Sequence, residues 1–367
     1  MKKLRICFIA VYLLLLAGIG VWTLAGEDRV FSENENRMLR TKANVSDSIA
    51  DGAFQADLET LLADQFPLRD RAVALQAEIR MALGEREIGG AYLGSGNRLL
   101  QKITDTDVDY AAIAKDAKKY ARLCADTGIP VTLIPVPSAV CSLPKALPDG
   151  APAYDLDRVY AILQACDDAG VLDLREALRG DGSLYYRTDH HWTTRGAFAA
   201  YRLWCEMHGK TVPDWDSLLP ETVTRDFRGS LYSKAPLPGI APEPMELIAV
   251  PEHLTVTADG TEIDFYVREA LNTKDKYNVF LSGNHGLVVI ENPDAAGGTL
   301  LLIKDSFANA LLPLLARHYH RIVAIDPRYY AGNVVEEVNN CNCEVILCVS
   351  GLSSLASSRN LALLDGL

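Results

Sequence analysis

Apolar residues recur along this chain with three periods, and each predicts a different element. From Ile6 to Ala25 the run is unbroken and uncharged, about the ~20 residues a helix needs to cross a bilayer. From 53 to 83 the spacing is helical, interrupted by Pro67. The residue before a proline avoids the α region, so one helix is expected to stop near Asp64 and a second to start at Pro67. In the second, Leu68, Ala72, Leu75, Ile79 and Ala82 share one face. That face predicts packing on the main domain, and Gly84 can end the helix. Residues 26–52, with Phe31 followed by Ser32 and a polar run to Arg37, lack any sustained period and read as a tether.

Beyond Tyr92 the period alternates. Residues 110–127 and 156–169 predict helices, and 131–136 and 171–174 predict strands. A further helix is expected from Trp192 to about His208, capped by Thr193 or Thr194. Residues 212–298 carry Pro213, Pro220, Pro236, Pro238, Pro242 and Pro244. They read as an insertion of loops and antiparallel strands, with Ile248, Val256 and Phe265 in short β-like runs. After it, buried-type strands at 300–304, 321–325 and 343–349 alternate with helices at 307–318 and 334–338. Such alternation predicts parallel β–α units and an α/β/α layered domain. The expected organisation is 1–25 membrane helix, 26–90 tether and helical hairpin, and 91–367 layered domain.

Composition narrows this picture only a little. Over 367 residues the net charge is −12, and an acidic body argues against nucleic acid as a partner. Lys2, Lys3 and Arg5 flank the apolar N-terminal run. The run is longer than the apolar core of a secretory signal peptide, and Thr23-Leu24-Ala25 is a poor cleavage site. An uncleaved signal-anchor is therefore expected, with the chain from about residue 26 on the outer face of the cytoplasmic membrane. Of eight cysteines, seven lie beyond Cys7. That number is odd, and most are expected to be small buried hydrophobes.

The chemistry concentrates at Asp189-His190-His191-Trp192. Read as extended, Asp189 and His191 point one way and His190 the other. An acid beside an imidazole is the orienter-plus-base half of an acyl-transfer triad. Adjacent imidazoles pointing apart do not suit one metal ion, so neither metal nor cofactor is expected. The missing nucleophile is sought at the carboxyl ends of parallel strands, where ligands bind. Ser306, on the strand-to-helix turn after Lys304 and Asp305, fits the need. The N–H groups of Ser306 and Phe307 would be free there to face an oxyanion. Ser306 as a plain N-cap is the alternative.

These landmarks, with Ser32-Glu33-Asn34-Glu35-Asn36-Arg37, Asp64-Gln65-Phe66-Pro67-Leu68-Arg69-Asp70, Lys304-Asp305-Ser306-Phe307-Ala308-Asn309 and Asp326-Pro327-Arg328-Tyr329-Tyr330, resemble the DHHW-motif family of bacterial envelope proteins. That family is related to the SGNH-hydrolase-like alginate O-acetyltransferases. The resemblance implies an SGNH-type α/β/α sandwich, with Asp189 as orienter, His191 as base and Ser306 as nucleophile. Lys304 stands where many relatives carry glycine. Gly283 and Asn284 resemble the oxyanion donors of SGNH enzymes, although Ser282-Gly283-Asn284-His285-Gly286 equally suits a hairpin turn. Arg328 and Tyr329 would line the cleft and bind sugar hydroxyls, or Arg328 would pair with a nearby acid. Trp192 would stack on a sugar, or lie in the core. The implied activity is O-acetyl transfer to, or ester hydrolysis on, an exported or surface polysaccharide. The implied donor is a membrane-bound O-acyltransferase of the MBOAT type. A non-catalytic carbohydrate-binding or assembly protein keeping the fold is the second reading, and a part in spore or wall assembly a third.

Overall fold

A computed structural model describes residues 2–32, 37–166, 169–237 and 239–355. The stretch between Ser32 and Arg37 therefore lies largely outside the described residues. The chain divides into two units: residues 1–85 with 232–239, and residues 86–231 with 240–367.

The first unit begins with a helix, Lys2–Ala25, that is long and apolar enough to cross a membrane. It is a candidate anchor or signal sequence. Further on, helices Ala53–Asp64 and Arg69–Ala82 form the expected pair. Leu68 between them takes a left-handed conformation, φ +59°. The buried carboxylate of Asp64 accepts from the Arg37 guanidinium and from the Arg40 N–H at 2.8 Å. This pins the tether to the end of the first helix. The apolar stripe on the second helix is not core: Leu68, Leu75 and Ile79 are all more than half exposed, and Ala77 is the buried position. A stripe at helical spacing predicts a helix, but it does not supply a surface to cover it.

The second unit is built on an eight-stranded sheet. In chain order its strands are β1 (Val131–Val136), β2 (Gly170–Val171), β3 (Thr255–Ala258), β4 (Thr261–Glu262), β5 (Leu287–Glu291), β6 (Gly297–Lys304), β7 (Tyr319–Ile325) and β8 (Val345–Gly351). Across the sheet they run β4-β3-β5-β7-β6-β8-β1-β2. From β7 to β2 all pairs are parallel, and β5, β3 and β4 extend the sheet antiparallel. This is an α/β fold with a mostly parallel central sheet. Residues 300–303 of β6 and 346–349 of β8 are buried, as continuous apolar runs in a parallel sheet must be.

Two expectations need correction. The 212–298 region carries antiparallel strands as expected, but it is more than an insertion, because β3, β4 and β5 from it complete the central sheet. These strands are only two to five residues long, so their period was too brief to reveal the pairing. The helix expected over 307–318 is instead a tight 3₁₀ turn, Ser306–Ala310, followed by a short helix at Leu312–Leu315. Helices Tyr110–Thr127 and Thr194–Met207 form where expected. The Thr193 hydroxyl accepts from the Gly196 N–H to cap the latter.

Candidate active site

The segment from Tyr185 to Trp192 folds back on itself rather than running extended. Tyr185 and Trp192 bridge antiparallel, and the Tyr186 N–H donates to the His191 carbonyl at 3.2 Å. Two buried ionic side chains satisfy the backbone leading into this loop. Arg98 donates to the carbonyls of Gly182, Tyr185 and Tyr186. Glu243 accepts from the N–H groups of Arg187 and Thr188 and from the Thr188 hydroxyl. The guanidinium thus takes the acceptors and the carboxylate the donors, as buried backbone requires. Burial pushes the Glu243 carboxyl above its ordinary range, although those donors pull the other way.

At the tip, the Asp189 Oδ1 accepts from the His191 backbone N–H at 2.9 Å and lies 2.6 Å from His191 Nδ1. The other carboxylate oxygen accepts from the Ser230 N–H at 2.6 Å. Gly229 makes that approach achievable, because a Cβ there would stand 2.2 Å from Asp189 Oδ2. Burial pushes the Asp189 carboxyl up. The imidazoles of His190 and His191 and the hydrogen bonds more than offset this and hold it well below the usual carboxylate range.

The loop corrects the expected directions of the two histidines. Their rings do not diverge; the centroids lie 3.8 Å apart. The donor atoms of Asp189, His190 and His191 all fall within 4.8 Å of one another. His190 Nδ1 is engaged with Ser230 Oγ at 2.7 Å, and both His191 nitrogens have partners. An ion would have to displace those hydrogen bonds.

Ser306 follows β6 at the carboxyl edge of the sheet. Asp305 is the cap of the turn, accepting from the Phe307 N–H at 2.9 Å and, with its second oxygen, from the Gly351 N–H at 2.8 Å. Ser306 is therefore not the cap, and its hydroxyl lies 2.8 Å from His191 Nε2. Asp189, His191 and Ser306 thus form one continuous hydrogen-bonded chain. An imidazole held at Nδ1 by a carboxylate and touching a serine hydroxyl with Nε2 can take that hydroxyl's proton.

The remaining expected residues fare differently. The Phe307 N–H is occupied by Asp305, which removes it as an oxyanion donor. The Ser306 N–H has no acceptor among the described residues. Gly283, φ +111°, and Asn284 sit in a turn, Asn284 exposed, and no hydrogen bond joins either to Ser306 or His191 among the described residues. The segment is not a hairpin turn either: it links the 3₁₀ turn Lys276–Val279 to β5. Trp192 is fully buried and its indole N–H donates to the Phe307 carbonyl at 2.9 Å, so it is core and not a sugar platform. Arg328 is paired with Asp326 through two N–H···O contacts of 2.8 and 2.6 Å, and Tyr329 is 54% exposed.

Sequence reasoning missed Tyr277. Its ring stacks on His191, centroids 3.9 Å apart and planes 5° from parallel, and its hydroxyl donates to the Ser306 carbonyl at 3.2 Å. Nothing near Tyr277 in the sequence marks it, because it lies in a short 3₁₀ turn, Lys276–Val279, with no sustained period around it. Glu243 and Arg98 were missed too. A charged residue flanked by apolar ones, as Arg98 is by Leu99 and Leu100, was the available signal.

Residues 162–325 match the family model described as "DHHW protein". The chain is 26% identical over 270 residues to a probable alginate O-acetylase AlgJ of Pseudomonas syringae pv. tomato, covering 67% of this chain and 65% of that one. A Pseudomonas fluorescens protein of the same description is 24% identical over 230 residues, covering 58% and 53%. The chain thus spans somewhat under two thirds of these relatives. In fold it resembles a DHHW family protein from Eubacterium siraeum, TM-score 0.65 at 20% identity, covering 76% of this chain and 96% of that one. It also resembles Bacillus cereus PatB1, TM-score 0.60 at 22% identity, covering 72% and 97%.

Proposed function

We propose, from the premise that this chain belongs to the DHHW family and is related to the AlgJ-type alginate O-acetylases, that it carries acyl groups, acetyl foremost, on Ser306 and passes them to a polysaccharide hydroxyl. The observation that supports this best is the hydrogen-bonded run Asp189 Oδ1–His191 Nδ1, 2.6 Å, and His191 Nε2–Ser306 Oγ, 2.8 Å.

In this reading the Ser306 oxygen attacks the acyl carbonyl while His191 Nε2 takes the hydroxyl proton. Asp189 keeps the Nδ1 proton in place and stabilises the imidazolium. The Ser306 N–H faces the developing oxyanion. Collapse returns the proton to the leaving group and leaves an acyl-serine. An acceptor hydroxyl, deprotonated by the same imidazole, then attacks the acyl carbon; the bond to Ser306 Oγ breaks, the acyl group passes to the acceptor, and His191 returns the proton to Ser306. Water in its place makes the protein an esterase. Tyr277 holds the imidazole plane by stacking. Tyr329, exposed near the same sheet edge, is our choice for a sugar contact. The layering is read as SGNH-type. The N-terminal helix is read as an anchor, with the second unit outside the cytoplasmic membrane and a membrane-bound O-acyltransferase as donor.

The test is hydrolysis of p-nitrophenyl acetate by the full chain in detergent, against Ser306→Ala. The reading expects loss of turnover in the variant and an acyl adduct on Ser306 by mass spectrometry. Equal rates with no adduct overturn it and leave a carbohydrate-binding protein.

A further inference from the structure

Lys304 ends β6, two residues before Ser306, and is only 2% exposed. Lysine is almost never buried without a partner. Its Nζ donates to Asn309 Oδ1 at 2.8 Å, and Asn309 is itself buried in the turn that Ser306 begins. The ammonium thus spans the nucleophile's turn from beneath.

The other groups facing it come from four elements. Asp305 belongs to the same turn, and its carboxylate fastens Phe307 and Gly351. Asp326 follows β7, is fully buried, and is paired with Arg328. Ser350 comes from β8 and Tyr120 from the helix Tyr110–Thr127. With Lys304 they line a small cavity of about 20 Å³, room for about one water. Two carboxylates, one guanidinium and one ammonium balance only while Lys304 keeps its proton. Burial pushes the ammonium down to about 8, with Asp326 and Asp305 partly restoring it and Arg328 lowering it further.

We infer that Lys304 is a positioning residue for Ser306: its ammonium locks Asn309 and completes the charge balance with Asp305, Asp326 and Arg328, so the turn keeps Oγ at His191, and loss of that proton at alkaline pH slackens the turn and lowers the rate. A buried ammonium adds little stability over an apolar side chain of similar volume, which fits a lysine kept here for activity. The inference rests on Ser306 being the nucleophile.

The test follows p-nitrophenyl acetate turnover of the full chain from about pH 6 to about pH 10, with Ser306→Ala subtracted at each pH. Wild-type kcat is expected to fall about tenfold between about pH 7 and about pH 9.5. Lys304→Met is expected to sit at that low level throughout, without the alkaline limb. Lys304→Arg, charged at every pH used, is expected to stay flat. It decides the matter with the wild-type profile should Lys304→Met fail to fold. A wild-type rate that is flat to about pH 10, or a Lys304→Met protein with the wild-type rate and limb, overturns the inference. If those results accompany an inactive Ser306→Ala, the nucleophile stands and Lys304 alone is refuted. A fully active Ser306→Ala refutes both.

Discussion

The indole N–H of Trp192 donates to the carbonyl of Phe307 at 2.9 Å, across 115 residues of chain. It ties the loop carrying His191 to the turn carrying Ser306, next door to each. Trp192→Phe keeps a buried ring but strands the Phe307 carbonyl. The expected loss is about 1–3 kcal/mol in denaturant unfolding. The rate of Ser306 acylation should fall with it, read by the adduct formed per unit time.

Asp189→Asn preserves shape but turns one carboxylate oxygen into an NH2 donor, so it cannot serve both the Ser230 N–H and the His191 N–H and Nδ1–H as acceptor. A fall of roughly a thousandfold to ten-thousandfold in kcat is expected. Its pH signature also has a definite sign. The Asp189 carboxyl is held below its ordinary range in the folded chain, so its stabilisation is present above the unfolded value of about 4 and fades as pH falls through the lower folded value. Unfolding of wild type and Asp189→Asn should differ by a constant amount above about pH 5. The gap should narrow only in stronger acid. A gap that closes near neutrality would exclude this.

Gly229→Ala adds one methyl group where Asp189 Oδ2 already stands, 2.2 Å from the new carbon. The Asp189 carboxylate must swing or Ser230 must retreat. Turnover should drop while helix content by circular dichroism stays near wild type, since no helix or strand of the sheet contains Gly229.

Glu243 separates charge from hydrogen bonding. Its folded carboxyl is raised, so the stability it lends is complete below the unfolded value of about 4.3 and declines as pH rises through the folded one. Glu243→Gln, which loses the charge but keeps one of the two oxygen acceptors, should cost less at pH 7 than truncation. Glu243→Ala leaves the donors of Arg187 and Thr188 unmet and should cost about 3 kcal/mol or more. Paired urea titrations measure both.

Much of the frame was legible in the chain because periodicity is local. The strand at 131–136 and the helix at 110–127 needed only their own residues. The Asp189–His191 contact was legible for the same reason, the two lying two residues apart. Ser306 required one further step, the rule that parallel sheets present their sites at strand ends. What escaped was decided by side-chain contacts, near and far. The stacking of Tyr277 on His191 depends on where the chain before β5 returns to the sheet. The hydrogen bond that disqualifies the Phe307 N–H depends on an aspartate rotamer.

Acid and base share one loop, fixed from behind by Glu243 and Arg98. The oxygen they would serve arrives separately, at the far end of another strand. On the proposed mechanism, a paralogue with alanine at position 306 would keep the tetrapeptide, the charged dyad and the whole scaffold, yet have nothing to acylate. Sorting working members from silent lookalikes would then mean reading one codon outside the signature that gathers them.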